Sequence, residues 1–153
     1  MKICNVCLAN NFLCSGCTKK LERKEITNID IEVSRAIHKL GLEADFSRSY
    51  EDDGFVAVFA NKMHSGILIG RAGRNVKRLS LMLEKDVRIV ETTDDERKMV
   101  ERVLNVPVLG INKVYSKNET YRVKVQRLYR NRVTGMDSLL KKIVGKNVEF
   151  IFE

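Results

Sequence analysis

All four cysteines of the chain lie within its first seventeen residues, and this clustering limits the fold more than any other feature of the sequence. They form two Cys-x-x-Cys pairs separated by six residues: Cys4, Cys7, Cys14 and Cys17. Four thiolates in paired spacing suit a tetrahedral Zn²⁺ ion and leave no ligand position open for catalysis. A segment this short buries little core of its own, so a bound metal would stabilise it. We therefore predict a structural zinc ion in a module spanning residues 1–22.

Three other uses of the same cysteines stay open. Iron–sulfur clusters usually come from denser cysteine runs than this one. Two disulfides would need an oxidising compartment, and a redox thiol pair would not need both motifs together. The start of the chain, Met1 to Cys4, lacks the apolar core of a signal peptide. No apolar run approaches the ~20 residues that span a bilayer. We expect a cytoplasmic protein with no membrane partner.

The charge of the chain favours a polyanionic partner. Lysine and arginine total 28 against 20 aspartates and glutamates, which gives a net charge of +8. A basic chain attracts anions, and nucleic acid is the commonest partner of such chains. With 153 residues and 44% hydrophobic residues, the chain suffices for one ordinary domain or two small ones.

The first block of predicted elements covers residues 28–91. Apolar residues from Ile29 to Leu40 recur with helical spacing and predict a helix. Segments 44–50 and 55–60 predict two strands around an Asp-Gly hairpin turn. An apolar loop broken by glycines follows at 63–73, then a helix at 74–85 and a strand at 87–90.

The second block, residues 94–153, repeats this order. We predict a helix at 94–105 capped by Thr93, a strand at 111–115, a turn at 117–119 and a strand from 121 to about 128. A helix at 137–144 and a strand at 148–152 complete it. The repeated order indicates two copies of one unit. The predicted class is α+β, with domains at 26–92 and 93–153 behind the zinc module.

The glycine-rich turn of the first block is the clearest candidate binding site. An apolar run enters Gly70-Arg71-Ala72-Gly73, and a helix leaves it. Glycines permit a tight turn and the close approach of a ligand backbone, and a helix N-terminus favours phosphate. Arg74, Lys77 and Arg78 share one face of that helix, with no acid between residues 67 and 78. The pattern predicts binding to a nucleic-acid backbone.

Residues 69–76, Ile-Gly-Arg-Ala-Gly-Arg-Asn-Val, resemble the core motif of the type II KH domain in NusA-like transcription factors. By element order the resemblance extends over residues 28–153, since these proteins carry two successive KH domains. It implies that single-stranded RNA, about four nucleotides of it, is held between the glycine loop and the edge of a small sheet. The RNA-contacting residues expected in this block are Gly70, Arg71, Ala72, Gly73, Arg74, Asn75, Lys77 and Arg78.

The second block departs from the family pattern. Where the loop should fall, residues 126–135 contain no Gly-x-x-Gly motif, so this unit is expected to be degenerate and to lack the standard clamp. Residues 121–132 contain five basic residues, two tyrosines and no acid, and arginine and tyrosine together can meet phosphates and stack on bases. The alternative is a strand whose polar and apolar side chains alternate, without any contact to RNA. We name Arg127, Arg130 and Arg132 as candidate RNA contacts.

We find no arrangement typical of an enzyme or of a small-molecule site. The glycine loop lacks the Gly-Lys-Ser/Thr ending of a nucleotide-binding P-loop. His64, next to the loop, is either a polar loop residue or a surface for stacking a base. The resemblance implies a transcription elongation or termination factor that meets RNA polymerase. A ribosome-associated or ribosome-biogenesis protein is the alternative, and an accessory subunit of a nuclease or polymerase is the third.

Overall fold

The structure is a computed structural model that describes residues 2–115 and 119–153. The chain forms two compact units, Met1–Ile89 and Val90–Glu153. Each contains one three-stranded sheet with helices, which confirms a mixed α and β class. The cysteine segment, predicted as a module of its own, lies within the first unit. Lys117 and Asn118 of the predicted turn fall outside the described residues. In the part of the chain that the structure describes, no helix is both long and apolar enough to span a bilayer.

The first unit contains five helices and three strands among its described residues. They are α1 (Asn5–Ala9), α2 (Ser15–Glu22), α3 (Asn28–Lys39), β1 (Arg48–Asp52), β2 (Phe55–Ala60), α4 (Lys62–Ile69), α5 (Arg74–Leu83) and β3 (Asp86–Glu91). A single 3₁₀ turn, Arg71–Gly73, separates α4 from α5. The strand order in the sheet is β1-β2-β3, and β1 pairs antiparallel with β2.

Helix α3 begins at a capping box. The Thr27 hydroxyl accepts a hydrogen bond from the Asp30 amide, at 3.3 Å, and the Asp30 carboxylate accepts one from the Thr27 amide, at 3.0 Å. The buried Asp30 carboxylate also accepts a hydrogen bond from the Ser49 hydroxyl of β1. This carboxylate therefore fixes the start of α3 and ties the helix to the sheet.

The predicted hairpin turn is confirmed. Asp52 pairs with Phe55 across the end of β1 and β2, so Asp53 and Gly54 alone form the turn. Both have positive φ, 46° and 77°. Two consecutive left-handed residues define the turn type that Asp-Gly favours between antiparallel strands.

The core of the first unit holds the helices on either side of the glycine loop. Leu68 of α4 and Leu79 of α5 are fully buried against Ile37 of α3 and the valines of β2. One anchor on each side leaves the turn between them at the surface, where Arg71 and Ala72 are exposed. The core thus positions the candidate site without covering it.

The second unit has the same order of elements as residues 28–91. They are α6 (Glu96–Leu104), β4 (Gly110–Val114), β5 (Thr120–Val125), α7 (Arg130–Val133), α8 (Asp137–Val144) and β6 (Asn147–Phe152). A 3₁₀ turn, Arg127–Tyr129, leads into α7. The strand order is β4-β5-β6, with β4 antiparallel and β6 parallel to β5. Leu139 and Leu140 of α8 are buried, as are Val100 and Val103 of α6.

Several predicted elements were wrong in kind. Residues 62–69, expected as part of a loop, form α4, because Asn61 caps the segment with a side-chain bond to the His64 amide at 2.9 Å. The strand expected to run to about residue 128 ends at Val125, and helical turns follow from Arg127. Short glycine-interrupted or arginine-rich segments carry little periodicity, so local pattern does not reveal them.

Other predicted boundaries were shifted. The first strand begins at Arg48 rather than at residue 44. The cap of α6 is Asp95, whose carboxylate accepts bonds from the amides of Arg97 and Lys98, and not Thr93. A carboxylate at this position also meets the positive end of the helix dipole, which explains the preference.

Replacing Leu79 by alanine should destabilise the first unit by about 2–5 kcal/mol, because it leaves a cavity in a fully buried site. Urea unfolding followed by circular dichroism measures this change. The matched control is Leu81→Ala on the same helix, where the side chain is 79% exposed and the change should stay within about 0.5 kcal/mol. Equal effects of the two variants would contradict the described packing of α5.

Candidate nucleic-acid interface and metal site

The glycine loop connects the end of α4 to the start of α5, and three of its residues have positive φ. Gly70 has φ 73° and ψ 176°, a conformation that essentially only glycine adopts. Ala72 and Gly73 follow in the left-handed region, with φ of 57° and 73°. Because two of the four residues are glycines and a third is alanine, little side-chain bulk surrounds the backbone of this turn.

Asn75 closes this loop from inside. Its side-chain Nδ2 donates a hydrogen bond of 2.7 Å to the carbonyl oxygen of Ile67 in α4. The same side chain lies against Gly70, where an added Cβ would come within 2.6 Å of Asn75 Nδ2. Sequence analysis named Asn75 as an RNA contact. The structure gives it a bond within the loop, and its contact with RNA stays a prediction.

The basic residues around the loop lie at the surface, and none of them pairs with an acid in the part of the chain that the structure describes. Arg71, Arg74, Lys77 and Arg78 are all exposed, and among residues 2–115 and 119–153 none of the four forms an ion pair. In contrast, Lys85 at the end of α5 bonds to Glu51 and Glu32, and the bond to Glu51 raises its pKa. The loop end of α5 therefore keeps its positive charge for an outside anion.

The start of α5 adds backbone donors to this charge. No side chain caps the helix at Gly73, so its first amides have no side-chain acceptor. The helix runs for 10 residues and carries no acid in its first turn. Uncapped amides and the dipole of such a helix favour a phosphate at this end.

An open groove runs beside the same helix. Its volume is about 500 Å³, and it lies between one face of α5 and the start of β3. The groove is lined by Val76, Lys77, Ser80, Leu81, Asp86 and Val87. Its lining is mainly apolar and includes one lysine and one aspartate, so the groove offers apolar surface and polar groups beside the loop.

His64 has a defined role within the fold. Its Nδ1 accepts a hydrogen bond of 3.2 Å from the amide of Asp45, and the ring is half-buried. The histidine therefore orients the chain before β1. This contact supports the polar structural interpretation of His64.

The four cysteine sulfurs form a compact group. Their Sγ atoms all lie within 4.8 Å of one another, with Cys4 at 3.5 Å from Cys7 and 3.8 Å from Cys14. A tetrahedral site with metal–sulfur bonds of about 2.3 Å places its sulfurs about 3.8 Å apart. The predicted ligand set thus has the spacing that a metal ion requires. Helices α1 and α2 present the cysteines, with Cys4 and Cys14 at the two N-caps.

Backbone amides prepare these sulfurs for metal binding. The amide of Cys14 donates to Cys7 Sγ at 3.1 Å, and the amide of Cys17 donates to Cys14 Sγ at 3.4 Å. The bond from the Cys17 amide lowers the pKa of the Cys14 thiol to about 6. Against the bond from the Cys14 amide, burial and the three neighbouring sulfurs raise the pKa of the Cys7 thiol to about 12, so the crowded thiols do not all ionise without a cation between them. Thiolates are the metal-binding form of cysteine, so this arrangement favours a cation between them.

The cysteine segment is anchored to α3. Cys7 and Cys17 are buried in a small core with Ile3, Leu8, Ile26 and Ile31. Arg35 of α3 donates from Nε to the Cys7 carbonyl at 3.2 Å and from Nη2 to the Phe12 carbonyl at 3.1 Å. The metal site and the glycine loop therefore belong to one unit of the fold.

The second unit has no counterpart of the double-glycine turn. Between α7 and α8 lie residues 134–136, with Gly135 as their one glycine. The candidate residues Arg127, Arg130 and Arg132 lie in and after the 3₁₀ turn, all exposed. Sequence reasoning missed Phe152, whose ring lies 5.5 Å from the Arg130 guanidinium. Only the pairing of β5 with β6 brings these two residues together. The aromatic residues of the last strand were therefore the only sequence feature that could have indicated this contact.

Comparison with known proteins shows the fold alone. No family model matches the sequence, and no curated protein matches it. A solved structure titled "Crystal structure of APE1850" is similar to this chain, with a TM-score of 0.64 and 20% sequence identity. The match covers 84% of this chain and 100% of that chain. Identity this low supports a shared arrangement of elements and leaves function to the site itself.

The chain should bind one divalent metal ion, because its four cysteines form one tetrahedral sulfur site. Metal content after dialysis against Zn²⁺, measured by plasma mass spectrometry, tests this stoichiometry. Cys7→Ser should lose the metal, whereas Ser15→Ala, beside a ligand, should keep it. Binding should weaken as pH falls, since protons compete for the thiolates. A metal-free wild-type chain at neutral pH would contradict the site.

Gly70→Ala should destabilise the first unit more than Gly73→Ala. The Gly73 position meets only ordinary contact with Val76 Cγ1, at 3.7 Å, so its cost is the left-handed backbone, about 1–2 kcal/mol. At Gly70 a methyl group adds a clash with Asn75 to the backbone strain. Thermal unfolding of the two variants measures the difference, and the reverse order would show that Asn75 does not close the loop.

Proposed function

We propose that the chain is a single-stranded RNA-binding protein built from two type II KH-like units, of which the first, residues 26–92, grips RNA at Gly70–Gly73. The order of elements over residues 28–91, repeated in the second unit, supports the KH-like assignment. The motif at 69–76 supports the link to NusA-like factors. In this proposal the protein is a binding module and not an enzyme.

One observation carries the proposal: Arg71 and Ala72 of the glycine loop are exposed, and the basic side chains beside them form no ion pair among the described residues. Arginines on a purely structural helix commonly pair with nearby acids, as Lys85 does in this unit. A cluster that stays unpaired next to uncapped amides is suited to a polyanion.

The proposed mechanism has two steps. The positive loop end of α5 first captures the RNA backbone by long-range attraction, which makes binding depend on salt. The phosphates then approach the loop closely, because Gly70 and Gly73 carry no side chains and Ala72 carries only a methyl group. The next bases lie along the groove between α5 and β3, where a few nucleotides can be read at their edges.

In the same proposal the four cysteines hold a structural zinc ion. All four sulfurs act as ligands, so no position remains for a substrate or an activated water. The chemistry supplied by such an ion is the cross-linking of α1 to α2. Because Arg35 bonds to the carbonyls of Cys7 and Phe12, the cross-linked segment in turn supports α3.

The proposed biological role is elongation or termination of transcription in the cytoplasm, with nascent RNA and RNA polymerase as partners. This role depends on the resemblance at residues 69–76. Crosslinking the protein to cellular RNA and sequencing the attached fragments tests it. Fragments from many nascent transcripts, with co-purification of RNA polymerase, are expected. Fragments from ribosomal RNA, with co-sedimentation on ribosomal particles, would favour a ribosome-associated protein instead.

Arg71→Asp combined with Ala72→Asp should weaken RNA binding more than tenfold and leave the fold intact. Both side chains are exposed, and both glycines are kept, so the strain discussed above does not arise. Fluorescence anisotropy with a labelled oligouridine measures the affinity. The dependence on salt should also fall, by about 0.7 in the log–log slope for each lost phosphate contact.

The matched control for this variant is Thr92→Asp with Lys98→Asp. It produces the same change in net charge at exposed positions next to three acids, where RNA binding is not expected. The control should bind nearly as the wild-type chain does. An equal loss in the two double variants would mean that only net charge matters, and an unaltered Arg71→Asp/Ala72→Asp variant would reject the loop as the site.

A further inference from the structure

The parallel pairing of β5 and β6 brings two distant segments of the second unit together. Val125 pairs with Phe152, so both strands end at the same edge of the sheet. The Arg127 amide donates to the Glu153 carbonyl at 3.1 Å, and the Glu153 amide donates to the Val125 carbonyl at 3.0 Å. The helical turns that follow β5 therefore lie against the end of β6.

Two arginines contact aromatic rings where the end of β6 meets the helical turns after β5. The Arg130 guanidinium lies 5.5 Å from the Phe152 ring centre, and that of Arg132 lies 5.7 Å from the Tyr129 ring centre. Both distances are within the range of cation–π attraction. We name this group the Arg–aromatic cluster; it consists of Arg127, Tyr129, Arg130, Arg132 and Phe152.

The Arg–aromatic cluster keeps its charge and part of its aromatic surface exposed. Its three arginines are exposed, its two rings are half-buried, and in the described ranges no carboxylate pairs with any of the arginines. The nearby acid Glu153 pairs with Lys124 rather than with these arginines, with 3.9 Å between Glu153 Oε1 and Lys124 Nζ. Glu149 of β6 pairs with Arg122 of β5, with 3.6 Å between Glu149 Oε2 and Arg122 Nε.

We infer that the Arg–aromatic cluster is a second contact for single-stranded RNA, at which bases stack on the rings and the arginines meet phosphates. Stacking accepts any base, because every base has an aromatic face. It needs no glycine turn, which this unit lacks. The inference rests on the proposed function only for the class of ligand.

The composition of the cluster favours RNA over an acidic protein. An acidic surface would satisfy the arginines through charge alone and would gain little from two half-exposed rings. Unpaired bases use both the rings and the planar guanidinium groups. The two occupants are separable, because removing the bases from a nucleic-acid chain leaves its charge unaltered.

The test uses the full chain loaded with Zn²⁺ and two labelled probes of about twelve nucleotides, within the range of known single-strand sites. One is oligoadenylate, and the other is a ribose-phosphate chain without bases. Phe152→Leu and Tyr129→Leu should each weaken binding of oligoadenylate by about five- to 100-fold, the loss expected for one stacked base. The same variants should leave binding of the chain without bases within about twofold. Tyr115→Leu, at an exposed aromatic outside the cluster, is the matched control.

The arginines are tested separately, since Phe152 is half-buried and its replacement also affects packing. Arg130→Lys keeps the charge and loses the planar group, so it should weaken binding of oligoadenylate and leave the salt dependence unaltered. Arg127→Gln should lower the salt slope by about 0.7 with both probes. Thermal unfolding confirms that each variant is folded.

The outcomes are decisive for this cluster independently of the glycine loop. In the Arg71→Asp/Ala72→Asp background, the effect of Tyr129→Leu should persist, so a failure of the loop is not mistaken for a failure of the cluster. Folded Tyr129→Leu and Arg130→Lys variants that bind oligoadenylate as the wild-type chain does would overturn the inference. Equal losses with both probes would also overturn it, because they would reduce the cluster to a patch of charge.

Discussion

The bond from the Asn75 side chain to the Ile67 carbonyl is the interaction on which the candidate site depends. At 2.7 Å it links the last turn of α4 to the first turn of α5, across the glycine loop. The same side chain fills the space where a Cβ of Gly70 would lie. These two contacts therefore fix the shape of the loop within the protein itself. A preformed site avoids the entropy loss of ordering a flexible loop on binding.

The cysteine segment supports helix α3 of the same unit in a similar way. Arg35 bonds to two carbonyls of that segment, and the Ile31 side chain shares its small core. Metal binding would thus stabilise α3, which packs with α5 in the core around Ile37. The two sites are chemically different, yet both lie in Met1–Ile89 and depend on α3 for support.

The local features of this fold could be predicted from the sequence. The features that depend on pairing between strands far apart in the sequence could not. The Asp53-Gly54 turn and the spacing of the four cysteines follow from the chemistry of a few neighbouring residues, and the structure confirms both. Helix α4 escaped prediction because it is short and because Gly66 within it and Gly70 at its end obscure the helical periodicity. The contact of Arg130 with Phe152 requires the parallel register of β5 and β6, which no window of sequence contains.

The central claim is that RNA binds at the loop between α4 and α5. The most direct measurement is a titration of the isotopically labelled chain with oligouridine, with each backbone amide followed by nuclear magnetic resonance. If RNA binds there, the amide resonances of Arg71–Gly73 and of the first turn of α5 shift most, and those along the groove to β3 shift less. If the resonances of these amides stay unchanged while those of other amides shift to saturation, RNA does not bind at this loop.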